Sequence, residues 1–151
     1  MMRSLLVQRR KIHDAVNRKR SFLEIAQQVA DDCKSLGYEG VHEKHPGAVL
    51  GHRAVRVRGP HGWRLRGSDG ASLGWFLVKQ ALARQLPKQS PLWNRKATSD
   101  HAPTDGLWLV EPHFAGDDFG AKWEEILVIE KGRARWLEDE PPHVRQWAAS
   151  P

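Results

Sequence analysis

The sequence contains few of the residues that build disulfides, thiolate metal clusters or membrane spans. Its 151 residues include one cysteine, Cys33, which excludes a disulfide within the chain and any zinc site made of several cysteines. No apolar run approaches the length of a membrane helix or of a secretory signal. These absences predict a cytoplasmic protein, and the length fits a single domain over residues 1–151.

Acidic residues are scarce in the N-terminal part of the chain. Residues 1–66 hold fourteen Lys and Arg against six Asp and Glu, whereas residues 67–151 hold ten against twelve, and the formal net charge is +6. Such asymmetry is typical of a nucleic-acid surface, but also of a solvated basic face or of one that docks on an acidic partner. The nucleic-acid interpretation would use a run of basic and aromatic residues: Arg53, Arg56, Arg58, His61, Trp63, Arg64 and Arg66.

Apolar residues at helical spacing predict three helices, over residues 3–18, 21–36 and 71–86. The second helix has the clearest start, because Ser21 and Glu24 form the S-x-x-E pattern of a capping box. Cys33 falls on the apolar stripe of this helix, with Leu36 at its end, and is expected to be a buried structural thiol. Residues 87–105 are polar and rich in proline, which predicts a long loop, either a lid or a surface segment.

Two apolar runs, 107–111 and 123–129, predict neighbouring antiparallel strands. A period of two places Glu111 and Glu124 on an apolar side of their own strands, although Glu125 competes with Glu124 for the inward position. A carboxylate on an apolar face is costly unless it is paired or bound to a metal, so either these glutamates have a partner or they turn to solvent at the strand ends. The predicted fold class is α+β, a curved antiparallel sheet with helices on its outer face.

Sequence motifs between residues 50 and 132 resemble those of a known enzyme family. They resemble the C-terminal half of the pita-bread metallopeptidases, the family of methionine aminopeptidase, prolidase, Xaa-Pro aminopeptidase and creatinase. The resemblance covers roughly residues 12 to 137. Its motifs are Leu50-Gly51-His52, Val110-Glu111-Pro112, Trp123-Glu124-x-Ile126-Leu127-Val128-Ile129 and Lys131-Gly132.

The resemblance implies a metal site that is only partly present. It implies that His52, Glu111 and Glu124 are ligands of a divalent ion such as Mn²⁺, Co²⁺ or Zn²⁺, that His61 has a catalytic role in contact with substrate, and that His113 contacts substrate. The family also has two aspartate ligands on earlier strands, and they have no counterpart in this sequence. The expected function is therefore that of a truncated metallopeptidase-like domain, inactive or weakly active alone on Xaa-Pro or methionyl peptides.

Other functions and partners stay open at this point. His42 and His45 are further candidates for metal or substrate contact. The alternative function is a small basic nucleic-acid-binding protein or a subunit-type interaction protein. For the favoured function the expected partners are a peptide and either a second copy or a complementing chain, whereas nucleic acid and membranes are not expected.

Overall fold

The computed structural model describes residues 2–40, 49–54 and 90–150. Within these ranges the chain is α+β, as the sequence predicts, with three α-helices and two antiparallel sheets. The helices are α1 (Met2–Asn17), α2 (Phe22–Ser35) and α3 (Pro142–Ala149), and a short 3-10 helix covers Ala97–Ser99. The strands are β1 (Glu39–Gly40), β2 (Val49–Ala54), β3 (Leu92–Asn94), β4 (Gly106–Val110), β5 (His113–Ala115), β6 (Gly120–Lys122), β7 (Glu125–Glu130) and β8 (Arg133–Trp136).

The larger sheet has the strand order β3-β2-β4-β7-β8, and the smaller sheet has the order β1-β5-β6. Strand β4 is central and pairs antiparallel with both β2 and β7, so that Leu109 lies opposite His52 on one side and Ile126 on the other. The predicted pairing of 107–111 with 123–129 is confirmed. The connection between them is not a simple turn, because it forms the β5-β6 hairpin of the smaller sheet.

The helices α1 and α2 begin and end within two residues of the predicted positions. At the start of α2 the Ser21 side chain accepts a hydrogen bond from the Glu24 backbone, and the Glu24 side chain accepts one from Ser21 N, which confirms the capping box. Gly37 follows α2 with a φ of +75°, a conformation that glycine adopts without a Cβ clash. Leu36 is 48% exposed, so its assignment to the buried stripe is wrong, while Cys33 is buried as expected.

One face of the larger sheet packs against the helices. The core contains Phe22 from α2 together with Trp93 and Trp108 from β3 and β4, and the ring of Phe22 lies 4.3 and 4.4 Å from the two indoles. Trp93 Nε1 also donates a hydrogen bond to the Phe22 carbonyl, 2.7 Å away. The prediction of a long loop over 87–105 is therefore wrong at residues 92–94, which pair with β2 and bury Trp93, and at the 3-10 helix 97–99.

The C-terminal end of the chain is helical. The acidic and proline-containing segment 138–142 is expected to interrupt regular structure, and residues 138–141 do lie outside helices and strands. Pro142 then occupies the first turn of α3, where a missing N–H costs nothing and the fixed φ suits a helix. Trp147 is buried and lies 6.1 Å from the Trp123 ring. No helix in the described ranges is long and apolar enough to cross a bilayer. The predicted helix 71–86 lies outside the described residues.

The opposite face of the larger sheet carries the candidate site. His52, Leu109 and Ile126 are register partners across three neighbouring strands, so their side chains point to the same side. Leu107, two residues from Leu109, shares this face and is exposed. The buried residues Trp108 and Leu127 alternate with these and point towards the helices. We call the side of His52, Leu109 and Ile126 the open face.

Candidate functional site

His52 and Glu111 lie together at the edge of the open face. Glu111 follows β4 and, two residues after Leu109, points to the same side of the sheet. The distance between His52 Nε2 and Glu111 Oε1 is 3.4 Å, and the Glu111 side chain is only 9% exposed. The Glu111 backbone N–H donates to the Leu50 carbonyl at 2.9 Å, which continues the β2-β4 ladder beyond the strand end. Backbone pairing thus fixes both residues of this pair.

Gly51, the residue before His52, permits this close pairing of β2 with β4. A Cβ atom at position 51 would lie 2.3 Å from the Leu109 carbonyl oxygen, well inside van der Waals contact. A larger residue would push β2 away from β4 and would separate His52 from Glu111. The glycine of the Gly-His motif therefore has a steric role in placing the histidine.

Lys122 joins Glu111 to the second predicted glutamate, Glu124. Its Nζ lies 3.5 Å from Glu111 Oε2 and 3.1 Å from Glu124 Oε2. The hydrogen bond with Glu124, together with the charges of both carboxylates, raises the pKa of Lys122. The three predicted ligands therefore belong to one side-chain cluster, His52, Glu111, Lys122 and Glu124, which we call the His-Glu-Lys cluster.

The sequence interpretation did not identify Lys122. It lies at the end of β6, in the smaller sheet, and reaches the cluster only because the β5-β6 hairpin folds beside the end of β4. Its position two residues before Glu124 is the one sequence signal that could have identified it. In an extended segment such residues lie on the same side of the backbone.

His113 lies beside the cluster, whereas His61 lies outside the described residues. The Nε2 of His113 is 3.8 Å from Glu111 Oε2, and its side chain is half-buried in β5. A position next to a predicted ligand is where a substrate-contacting side chain is expected. The predicted roles of His61, His42 and His45 concern positions outside the described residues. Among the arginines of the nucleic-acid interpretation, Arg53 is described, and it donates to the Asp105 carbonyl at 2.8 Å.

Glu125, rather than Glu124, is the carboxylate on the helix-covered side of β7. Its side chain is 8% exposed and receives a bidentate ion pair from Arg9, with nitrogen to oxygen distances of 2.8 to 3.0 Å. His143 Nε2 lies 2.9 Å from the same carboxylate. The expected cost of an inward carboxylate is thus offset by two partners from α1 and α3. Glu124 lies on the open face, and its side chain is 44% exposed. It therefore partly fits the second possibility raised by the sequence, a glutamate that turns to solvent at the strand end.

A cavity of about 350 Å³ adjoins the His-Glu-Lys cluster, and Glu124 belongs to both. Four of its eight lining residues are apolar, and the other four have ionisable side chains. A cavity of this size beside convergent polar groups is a common arrangement for a ligand site. Its lining consists of Leu109, Glu124, Glu125, Ile126, Leu137, Glu138, Pro141 and His143.

The donor atoms of the cluster suit a divalent ion, but their arrangement does so only in part. One imidazole and two carboxylates match the preferences of Mn²⁺, Co²⁺ and Zn²⁺. In residues 2–40, 49–54 and 90–150, however, no three His, Cys, Asp or Glu side chains are close enough to hold an ion. The cation between Glu111 and Glu124 is the ammonium of Lys122. A metal ion would therefore have to displace this lysine.

Comparison of the chain with protein-family models, with curated proteins and with solved structures finds no match. The relation to the pita-bread metallopeptidases therefore stays a prediction based on the motifs. The geometry of His52, Glu111, Lys122 and Glu124 is the observation from which a function can be argued.

Proposed function

We propose that this chain is a metallopeptidase-like protein that binds one divalent ion weakly, in competition with its own Lys122. His52, Glu111 and Glu124 are the proposed ligands, and a peptide is the proposed substrate. The observation that carries the proposal is the convergence of these side chains from three separate segments. His52 lies 3.4 Å from Glu111, and Lys122 bridges Glu111 to Glu124.

The burial of Glu111 supports a role in binding a cation. A carboxylate that loses its hydration is costly unless a positive charge or hydrogen-bond donors compensate it. Two histidines and Lys122 surround this carboxylate, so it already lies in an environment organised around an anion. If a divalent ion replaced the half-exposed ammonium of Lys122, the Glu111 carboxylate would still have a positive charge beside it. Lys122 is 43% exposed, so its ammonium can move into solvent when an ion takes its place.

The residues divide into metal-holding and substrate-orienting groups in this proposal. A divalent ion bound there would supply a Lewis acid for a peptide carbonyl. His113, at the rim, would donate a hydrogen bond to the same carbonyl or to the peptide backbone. The cavity beside Glu124 would exclude water from an apolar side chain of the peptide. Because the two aspartates of the family motif have no counterpart here, hydrolysis of Xaa-Pro or methionyl peptides by this chain alone should be slow.

Calorimetric titration with Mn²⁺, Co²⁺ and Zn²⁺ tests the ligand assignment. We expect weak binding by the parent chain and no measurable binding by the Glu111→Gln or Glu124→Gln variants, because each loses an anionic ligand. Glu130→Gln is the matched control: it removes one exposed carboxylate from the far end of β7 and should leave the affinity unchanged. Equal affinity in all four proteins would contradict the proposal.

The same variants separate ligation from folding. Thermal unfolding of Glu111→Gln should show a loss of about 1 kcal/mol, since the amide replaces a carboxylate that has cationic neighbours. An unpaired buried carboxylate would give the opposite sign, a gain in stability on neutralisation. Glu124→Gln should change stability by less than about 0.5 kcal/mol, because Glu124 is half-exposed. These shifts are too small to explain a complete loss of metal binding by unfolding.

A further inference from the structure

The hairpin at the other end of β7 forms a second concave surface, which is basic. A cleft of about 510 Å³ lies along the β7-β8 turn. Three cations contribute to its lining, Lys131, Arg133 and Arg135, and all three are exposed. Glu130 is the one acidic residue of the lining, and Val128 and Ala134 complete it.

The turn between α1 and α2 brings a further cation, Lys19, to the β7-β8 turn beside this cleft. The Asn17 side chain accepts a hydrogen bond from Ala134 N at 2.8 Å and donates one to Ala134 O at 3.2 Å, which fixes the end of α1 to β8. Lys19 then lies against the hairpin, since a Cβ atom at Gly132 would be 3.9 Å from Lys19 Cε. We call the surface of Lys19, Lys131, Arg133 and Arg135 the basic groove.

The cations of the basic groove outnumber its one acidic residue, Glu130. Other cations of the chain are used within the fold: Arg9 pairs with Glu125, and Lys11 pairs with Asp32. No ion pair joins any cation of the basic groove to a described residue. The Asp105 carboxylate accepts hydrogen bonds from the backbone N–H groups of Lys131 and Gly132 and holds the turn in place. Four like charges held close together favour an external anion.

We propose that the basic groove binds the phosphodiester backbone of a nucleic acid strand. A chain of phosphates offers several anions in a row, which matches cations distributed along a hairpin and an adjoining turn. The groove is concave, and Val128 and Ala134 within it are too small and too recessed to insert into a bilayer, so a membrane surface fits less well. The cleft lining contains no aromatic side chain on which a base could stack. We therefore expect binding that is independent of the nucleotide sequence.

This surface is separate from the His-Glu-Lys cluster. Three residues of β7, 125–127, separate Glu124 of the cluster from Val128 of the cleft lining, which corresponds to about 13 Å along the strand. A nucleic acid in the basic groove and a peptide at the cluster would therefore occupy different parts of the sheet. The inference does not depend on the proposed metallopeptidase-like function.

Fluorescence polarisation with a labelled single-stranded oligonucleotide, at low and at physiological salt, tests the proposal. We expect binding at low salt, with the logarithm of the affinity falling by about 0.7 per phosphate contact for each unit of log salt. The double variant Lys131→Glu/Arg133→Glu should weaken binding at least about tenfold. The control is Arg145→Glu on α3, which also reverses an exposed cation, and it should change affinity less than about twofold.

The outcomes that overturn the proposal are distinct. An absence of oligonucleotide binding at low salt would refute it, and so would equal losses in the double variant and in Arg145→Glu, which would indicate a nonspecific charge effect. Groove-dependent binding to phosphatidylserine vesicles without oligonucleotide binding would assign the surface to membranes instead. Because Glu130 lies opposite Arg133 in the hairpin, charge reversal could harm folding. The neutral variant Lys131→Gln/Arg133→Gln, checked by thermal unfolding, should still weaken binding and lower the salt slope by about 1.4.

Discussion

Replacement of Lys122 with Met should convert the His-Glu-Lys cluster into a better metal site. The ammonium lies 3.5 and 3.1 Å from the carboxylates of Glu111 and Glu124, which is where a divalent ion would sit in the proposed function. Two unit charges about 4 Å apart in water interact by about 1 kcal/mol, so moving the ammonium away from the two carboxylates to admit an ion costs about 2 kcal/mol. The dielectric constant of water applies to this interaction because the Lys122 side chain is 43% exposed.

The expected result is tighter binding of Mn²⁺ by about ten- to thirtyfold, since each 1.4 kcal/mol is a factor of about ten. Without metal, the variant should lose about 0.5 to 1 kcal/mol of unfolding free energy, because Glu111 loses a partner. Saturating Mn²⁺ should then stabilise the variant more than the parent, in proportion to its tighter binding. Calorimetry gives the affinity, and urea unfolding with and without Mn²⁺ gives the stability.

Lys96→Met is the matched control, because it removes an exposed lysine that has no ion pair with the described residues. It should leave both measurements unchanged. If Lys122→Met and Lys96→Met bind Mn²⁺ equally, Lys122 does not compete with the ion. If in addition Glu111→Gln binds like the parent, the ion does not bind at this cluster.

Three further predictions concern the rest of the described chain. Arg9→Met should lower the free energy of unfolding by about 3 kcal/mol, because the Glu125 carboxylate stays buried without its guanidinium partner. Adding Glu125→Gln should restore part of this loss. A loss below about 1 kcal/mol in urea unfolding would contradict the prediction. Backbone hydrogen bonds lower the pKa of Asp105 in the folded state, so the unfolded state takes up the proton first as pH falls. The stability difference between parent and Asp105→Asn should be complete above about pH 4 and should vanish as pH falls through the folded pKa; a constant difference during acid titration would refute the assignment. Burial raises the pKa of the Cys33 thiol to about 11, so it should react with a disulfide reagent only after unfolding, and rapid reaction of the native protein at neutral pH would rule this out.

The local elements could be predicted from the sequence because their determinants lie within a few residues of one another. The start of α2 follows from Ser21 and Glu24, three positions apart, and its end from the left-handed Gly37. The pairing of β4 with β7 follows from two apolar runs of matching length. At the C-terminus Pro142 begins a helix, because its missing N–H falls in the first turn.

The choice between Glu124 and Glu125 shows where periodicity stops being informative. Strand β7 is apolar on both faces, so alternation alone leaves the inward glutamate undetermined. Arg9, in the first helix, decides the question by forming a bidentate pair with Glu125 across more than a hundred residues of sequence. Glu124 is thereby left on the open face, where it meets Lys122.

The sequence alone determined the α+β class, the two N-terminal helices and the central strand pair, because periodicity and caps encode these features locally. Short motifs also identified His52 and Glu111 as candidate site residues. Only the tertiary structure decided which charges meet. Lys122 comes from the smaller sheet, and Lys19 reaches Lys131 and its neighbours through contacts between α1 and β8. Electrostatic partners depend on distance in space, and distance in space between remote segments is set by the packing of the whole chain rather than by any local pattern.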